Sequence, residues 1–378
     1  MAARPSISPA IPGTFQTTAA RSGVANRSRK IGVALIGCGW VSAFAHLPSI
    51  QRSGRCRLVA VVDRSAERLA SLSDQFPEAY LAQNSDDVLV DANVEGVIVA
   101  VPPQSHAEVA VAAFDAGKHV YLEKPIAANR DDARCILKAW RRSGRIGMIG
   151  YNFRFSPVVR AAAARIRSGE LGEILAVQAS FQWVGGEHLA SWRSCPGSGG
   201  DAMLDIASHH IDLLASLLPT RVKSVSAILA HKRTQDDCVS IAIAMEDGCV
   251  CQLFASSAAG TNANRLHFYG TRGSLTVDLL DNRLPRTEEI AGRLARVKRI
   301  RDRLSALNFS SLLRSPGYEP SFSLAIEAFL SAISRGIQER PDLTDGYNAL
   351  VICEAARHSA MHNTGSIGLD ALVPESIA

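Results

Sequence analysis

Residues 31–46 read IGVALIGCGWVSAFAH. A short β-branched run ends in glycine and passes into residues of helical spacing. By length and content the run is a buried strand of a parallel sheet. The pattern Gly37-x-Gly39-x-x-Ser42 therefore sits between a strand and a helix. Gly37 permits a tight turn, and Gly39 lets the backbone approach a pyrophosphate. The helix start offers free N–H groups and a partial positive charge to phosphates. Ser42 stands at the third position, where a small residue allows close helix–strand packing.

The next strand is CRLVAVVD, residues 56–63. Asp63 ends it, and an acid there can bind the ribose hydroxyls of NAD. Its charge should repel a 2′-phosphate, which favours NAD; the adjacent Arg64 leaves NADP open. A polar helix, the strand VEGVIVAVPP (94–103), the helix HAEVAVAAFDAGK (106–118), the strand HVYLEKP and the helix DDARCILKAWRRSG follow. Strand and helix alternate with short connections up to about residue 150. The expected fold is α/β there, a Rossmann doubly wound parallel sheet with helices on both faces.

Beyond residue 150 the texture changes. A helix, VVRAAAARIRSGELG, precedes several strand-like runs, among them EILAVQASFQW, CVSIAIAM, CVCQLFASS and GSLTVDLL. Alternation and short turns predict an α+β unit on an open, mostly antiparallel sheet. A helix over 201–218 interrupts it, and two helices around 321–336 and 345–362 end the chain. The predicted division is a disordered basic tail over 1–30, a dinucleotide-binding domain over 31–150 and a substrate and oligomerisation domain over 151–378. The C-terminal helices are candidates to pack back on the first domain.

Charge narrows the function classes. The chain carries 41 basic and 36 acidic residues. Five of the basic residues (Arg4, Arg21, Arg27, Arg29 and Lys30) lie in the first 30, which contain no acid. The remaining body is neutral, which argues against nucleic acid. No apolar run reaches roughly 18 residues, so no membrane-spanning helix is expected. Eight cysteines occur singly, without C-x-x-C or zinc spacing; no metal site is expected, and reduced thiols suit a cytoplasmic protein.

Lys124 stands at the end of a parallel strand, where ligands bind in doubly wound sheets. It can donate a hydrogen bond to a substrate oxygen; alternatively it pairs with Glu123. In SGGDAMLDIASHHIDLL, Asp205 and His209 are four apart and share one helix face. The carboxylate can orient an imidazole suited to act as a general base. Such a pair can also be a surface hydrogen bond or part of a metal site. His210 points elsewhere on the helix and reads as a core or interface histidine, with a substrate contact as the alternative. Over 290–307, Ile290, Leu294, Val297, Ile300, Leu304 and Leu307 form one face of a basic helix. That helix packs on its own domain or meets an anionic partner or membrane surface.

Taken together, ALIGCGWVSAFAH, VPPQSHAEVAVAAFDAGKHVYLEKPIA, GYNFRFSP and GGDAMLDIASHHIDLL, in that order, resemble the Gfo/Idh/MocA oxidoreductases, over about residues 31–362. The resemblance implies Lys124, Asp205 and His209 as the catalytic set. It implies cofactor contacts from Gly37, Gly39, Trp40 and Val41, from Asp63, from Val101, Pro102 and His106, and from Glu123; Arg64, by its place beside Asp63, is a further candidate contact. It implies Arg154, Trp192 and Arg193 as lining of the nicotinamide or substrate pocket. Asp201 and Ala207 depart from glycines common in such chains, as VPPQSH departs from a Thr-Pro-Asn pattern.

The implied activity is NAD(P)-dependent hydride transfer at a secondary alcohol of a sugar, cyclitol or sugar derivative. His209 takes the hydroxyl proton, Asp205 steadies the imidazolium and Lys124 holds the oxygen. Two rivals remain: a membrane-associated dehydrogenase of nucleotide sugars or lipid-linked glycans, and a non-catalytic dinucleotide-sensing regulator. The runs SIAIAM and VCQLF are apolar on both faces, so sheet pairing in a homodimer or homotetramer is expected.

Overall fold

The computed structural model describes residues 29–184, 193, 195, 197–232, 236–281, 286–289 and 320–369. The basic tail up to residue 28, Trp192 and the basic stretch 290–307 lie outside the described residues.

Six strands make a parallel sheet: β1 (Ile31–Ile36), β2 (Cys56–Val62), β3 (Tyr80–Ala82), β4 (Gly96–Val99), β5 (His119–Leu122) and β6 (Gly147–Ile149). Their order is β3-β2-β1-β4-β5-β6. The chain reverses direction across the sheet between β1 and β4, the switch point where such folds bind ligands. Val33, Leu35, Val97, Ile98 and Val120 are fully buried, as a sheet covered on both faces requires. Five helices intervene: α1 (Leu47–Arg52), α2 (Ala66–Ser73), α3 (Asp86–Leu89), α4 (His106–Asp115) and α5 (Arg130–Ser143). Their ends follow local chemistry. Asn129 caps α5 by accepting from the Asp132 N–H, and Gly144 ends it in the left-handed conformation.

After α6 (Pro157–Arg167) comes the second sheet. It comprises β7 (Ile174–Gln182), β8 (Val222–Ala230), β9 (Cys238–Met245), β10 (Val250–Ser256), β11 (Ala263–Gly270), β12 (Gly273–Asp278), β13 (Arg286–Glu289) and β14 (Ile367–Gly368). The order is β13-β12-β11-β7-β10-β9-β8-β14. Every pairing is antiparallel except β7 with β10. One face buries Val239, Ile241, Ile243, Cys251 and Leu253. The other exposes Ile228, Val250 and Phe254.

The helix expected over 201–218 is two pieces, a π-helical turn over Ala202–Ala207 and then α7 (Ser208–Leu217). A second π-helical turn, Ser42–His46, joins the glycine turn to α1. Such turns widen the helix by one residue and change which side chains share a face. Near the end of the chain, α8 (Pro320–Arg335) buries Ala325, Ile326, Phe329 and Leu330 in one cluster with Val33, Leu35 and Ile98 of the parallel sheet. The last helix, α9 (Leu343–His362), shares the core of the second sheet. Among the described residues, no helix is long and apolar enough to cross a membrane.

Candidate active site

The glycine turn closes the carboxyl end of β1. Gly37 has φ +98°, and a Cβ there would lie 2.5 Å from the Ala100 oxygen, so only glycine fits. A Cβ on Gly39 would meet nothing within 4 Å. Open space beside that backbone, at the start of a helical turn, is what a pyrophosphate needs. Ser42 is fully buried and donates to the Gly37 oxygen at 2.6 Å, closing the turn that a third glycine would leave unlinked.

Asp63 lies at the end of β2 and accepts from the Cys38 and Ser65 N–H groups at 2.7 and 2.8 Å. Burial and the Asp63 carboxylate push the Cys38 thiol up to about 12. Arg68 reaches Asp63 at 3.5 Å. Arg64 is exposed, and its carbonyl accepts from Gln83. Val41 begins the π-helical turn, and the Trp40 ring turns outward and stacks on Phe44. The turn, the acid and the open space fit a dinucleotide.

Two residues expected to touch the cofactor have buried protein partners. His106 is buried, and its ring nitrogens face the Pro125 and Val101 oxygens, each at 2.9 Å. It staples the segment Val101–Pro102 to the loop after β5. Burial drives its pKa down despite those carbonyls, so the neutral ring donates to one side at a time. Glu123 is buried too. It accepts from His46 Nε2 at 2.9 Å and from the Lys124 N–H at 3.1 Å. Sequence reasoning passed over His46, whose π-helical turn ties the glycine turn to Lys124 through this carboxylate.

Lys124 follows β5, and its peptide with Pro125 is cis. Its Nζ donates to the Asp205 carbonyl at 2.7 Å and to Asp205 Oδ1 at 2.6 Å. Arg193 Nε donates to Oδ2 of the same carboxylate at 3.0 Å. Gly200 permits this approach, since a Cβ there would lie 2.4 Å from the Arg193 Cα. Burial raises the Asp205 pKa, but the charges of Lys124 and Arg193 outweigh it and hold the carboxyl at about 2.

The expected Asp205–His209 couple is therefore corrected: both carboxylate oxygens face cations, and the π-helical turn sets Asp205 toward Lys124. His209 packs among rings instead, with Phe153 at 4.6 Å and Tyr151 and Phe181 at 5.9 Å. Its Nδ1 is buried without a hydrogen-bond partner. Burial, reinforced by the Lys124 charge, holds its pKa well below 6.5, so the ring is neutral near pH 7.

Two residues expected to line the pocket have buried protein partners. Arg154 is clamped on Asp212 by two hydrogen bonds of 2.8 and 2.6 Å and reaches Asp345 at 3.2 Å. His210 is fully buried and hydrogen-bonded to Asn264 at 2.8 Å, and burial lowers its pKa to about 4. Among the described residues, no group of three or more His, Cys, Asp or Glu is arranged to hold a metal ion.

Comparison with known proteins identifies the family and the fold. Residues 31–151 match the model of the oxidoreductase family with NAD-binding Rossmann fold, and residues 159–276 match the GFO/IDH/MocA C-terminal domain. The levoglucosan dehydrogenase of Pseudarthrobacter phenanthrenivorans is 25% identical over 389 residues, covering 88% of this chain and 96% of that one. Oxidoreductase P35 of Formosa agariphila is 28% identical over 191 residues, which is 49% of this chain and 60% of its own length. A solved structure of levoglucosan dehydrogenase with NADH and levoglucosan has the same fold, with a TM-score of 0.75, 23% identity, and 90% of this chain and 99% of that one covered.

Proposed function

Because the chain belongs to the Gfo/Idh/MocA oxidoreductase family, which binds NAD on a Rossmann fold, we propose that it interconverts a secondary alcohol and a ketone on a sugar or cyclitol. The observation that carries this reading is the convergence of Lys124, from the parallel sheet, on Asp205, from the helix of the second sheet, at 2.6 Å. When bound, the nicotinamide supplies the carbon that accepts or gives hydride. Asp205 and Arg193 fix the Lys124 ammonium at the carboxyl end of β5. The ammonium donates to the substrate oxygen and stabilises negative charge on it. The neutral His209 accepts the hydroxyl proton, and the surrounding rings keep water from it.

NAD rather than NADP is the proposed cofactor, since an acid at the end of the second strand, as Asp63 is, binds ribose hydroxyls and repels a 2′-phosphate. The exposed outer face of the second sheet, with Ile228, Val250 and Phe254, supports its pairing with a second copy. Light scattering on a sizing column should return a dimer or tetramer; a clean monomer counts against that pairing.

The test of function is a screen of monosaccharides, methyl glycosides and cyclitols with NAD and NADP, following the absorbance of reduced cofactor. Turnover of at least one, faster with NAD, is expected. No turnover of any, in either direction, overturns the reading.

A further inference from the structure

The inner row of β7 changes along the strand. Val177 and Ala179 are buried, while Phe181 and, just past the end of the strand, Trp183 are half-buried. Residues two apart share a face and stand roughly 7 Å apart along a strand. Phe181 lies 5.9 Å from the His209 ring, and Trp183 lies 5.8 Å from Trp40. Trp40 in turn stacks on Phe44 at 4.7 Å, with the planes 10° apart. Two ring groups thus lie along this line, Phe181 against the imidazole and Trp183 with Trp40 and Phe44 toward the surface. At the outer end, Trp40 is 58% and Phe44 46% exposed.

A stacked aromatic pair left this open to water is not a core, and such patches mark sites of binding. Trp40 comes from the glycine turn and Trp183 from the second sheet, so the wall stands where the two halves of the site meet. Aromatic faces carry partial negative charge and attract flat, C–H-rich or aromatic rings. Trp183 stands one same-face position beyond Phe181, which itself packs on His209, so the wall begins roughly 7 Å outward of the ring that flanks the imidazole.

We infer that the wall of Trp40, Phe44 and Trp183 is a subsite for a second ring, joined to the reacting sugar by a glycosidic bond. The substrate class is then a glycoside whose outer part, a sugar or an aryl aglycone, stacks on the two tryptophans. The inference rests on the proposed sugar chemistry of the inner site. It does not depend on which carbon is oxidised.

Binding separates the two claims without turnover. Methyl β-D-glucopyranoside, phenyl β-D-glucopyranoside and cellobiose are titrated calorimetrically into the full chain loaded with NADH. The inference expects phenyl glucoside or cellobiose to bind at least about tenfold tighter than the methyl glucoside, which is about 1.4 kcal/mol. Whichever of the two is tighter identifies the outer group as aryl or sugar. In Trp183→Ala that advantage should fall to about onefold, and Trp183→Phe should restore most of it. A parallel titration of NADH shows that each variant is folded. Equal affinity for all three probes, binding of none, or an advantage that survives Trp183→Ala overturns the inference. The proposed oxidation of sugars stands or falls separately, on the turnover screen.

Discussion

Two buried ion clusters sit seven residues apart on one helical run, and their charge balance is opposite. At Asp205 one carboxylate faces two cations, Lys124 and Arg193. At Asp212 one guanidinium, Arg154, is shared by two carboxylates, Asp212 and Asp345, and the exposed Arg340 is shared by Asp345 and Asp342 at 3.4 and 3.8 Å, so three carboxylates face two cations. The first cluster holds its carboxyl at about 2. In the second, burial outweighs Arg154 and raises the Asp212 carboxyl to about 6. A surplus of positive charge suits a site where an oxygen becomes negative. A surplus of carboxylate, closed on itself, suits a clamp. Here Arg154 joins the turn Asn152–Phe155 to α7 and to the capping box of α9.

The largest effect expected from this contrast is on stability. Arg154→Met leaves two buried carboxylates without their shared cation, a kind of change that costs about 3–5 kcal/mol. Urea unfolding should show that loss, while the KM for the sugar stays within a few-fold. A large rise in KM with little loss of stability would return Arg154 to the pocket. Lys124→Met should do the reverse. Removing a donor aimed at a developing oxyanion costs about 10²–10³-fold in kcat, and NADH affinity should hold. Normal turnover in that variant would break the proposed role of the ammonium.

Asp212 gives a smaller effect with a defined sign. Its folded pKa of about 6 lies above the ordinary 3.8, so the folded state binds the proton more tightly. The stabilisation is full below about 4 and is lost as pH rises through 6. The shift corresponds to on the order of 2–3 kcal/mol. Unfolding measured from pH 4 to 7 should therefore show stability falling across that window. Asp212→Asn should flatten the fall; an unchanged slope would assign it to another group.

These clusters also show what the sequence could tell. The glycine turn, Asp63 and the strand-end position of Lys124 were legible, because each depends on neighbours within one strand–turn–helix unit. So was the alternation that separates a parallel sheet from a mostly antiparallel one. The partners of Asp205 and Arg154 were not. Lys124 is 81 residues from Asp205, and Arg154 is 58 from Asp212. Periodicity says which side chains share a face and nothing about what stands opposite. The spacing of Asp205 and His209 misled for a further reason: a four-residue step assumes an α-helix, and the chain makes a π-helical turn there. His46 was missed because its partner Glu123 reads as part of the Glu-Lys-Pro run rather than as its anchor.

Arg193 sharpens the contrast most finely, because it supplies the surplus charge without being the proposed donor. In Arg193→Gln the carboxylate of Asp205 still holds Lys124, so the ammonium stays near its place, but the pair becomes neutral. The local field on the substrate oxygen then weakens without losing a hydrogen bond to it. A fall in kcat of about tenfold or less is expected, smaller than the loss of the donor itself. Arg193→Lys should recover part of it by restoring charge without the guanidinium geometry. The carboxyl of Asp205, with one cation fewer, should move up from about 2 toward its ordinary value. Stability present above about 3.8 and lost as pH falls through 2 would then shrink, which acid unfolding can measure. If turnover is unchanged while acid stability shifts, the second cation is structural and the site works with a neutral pair.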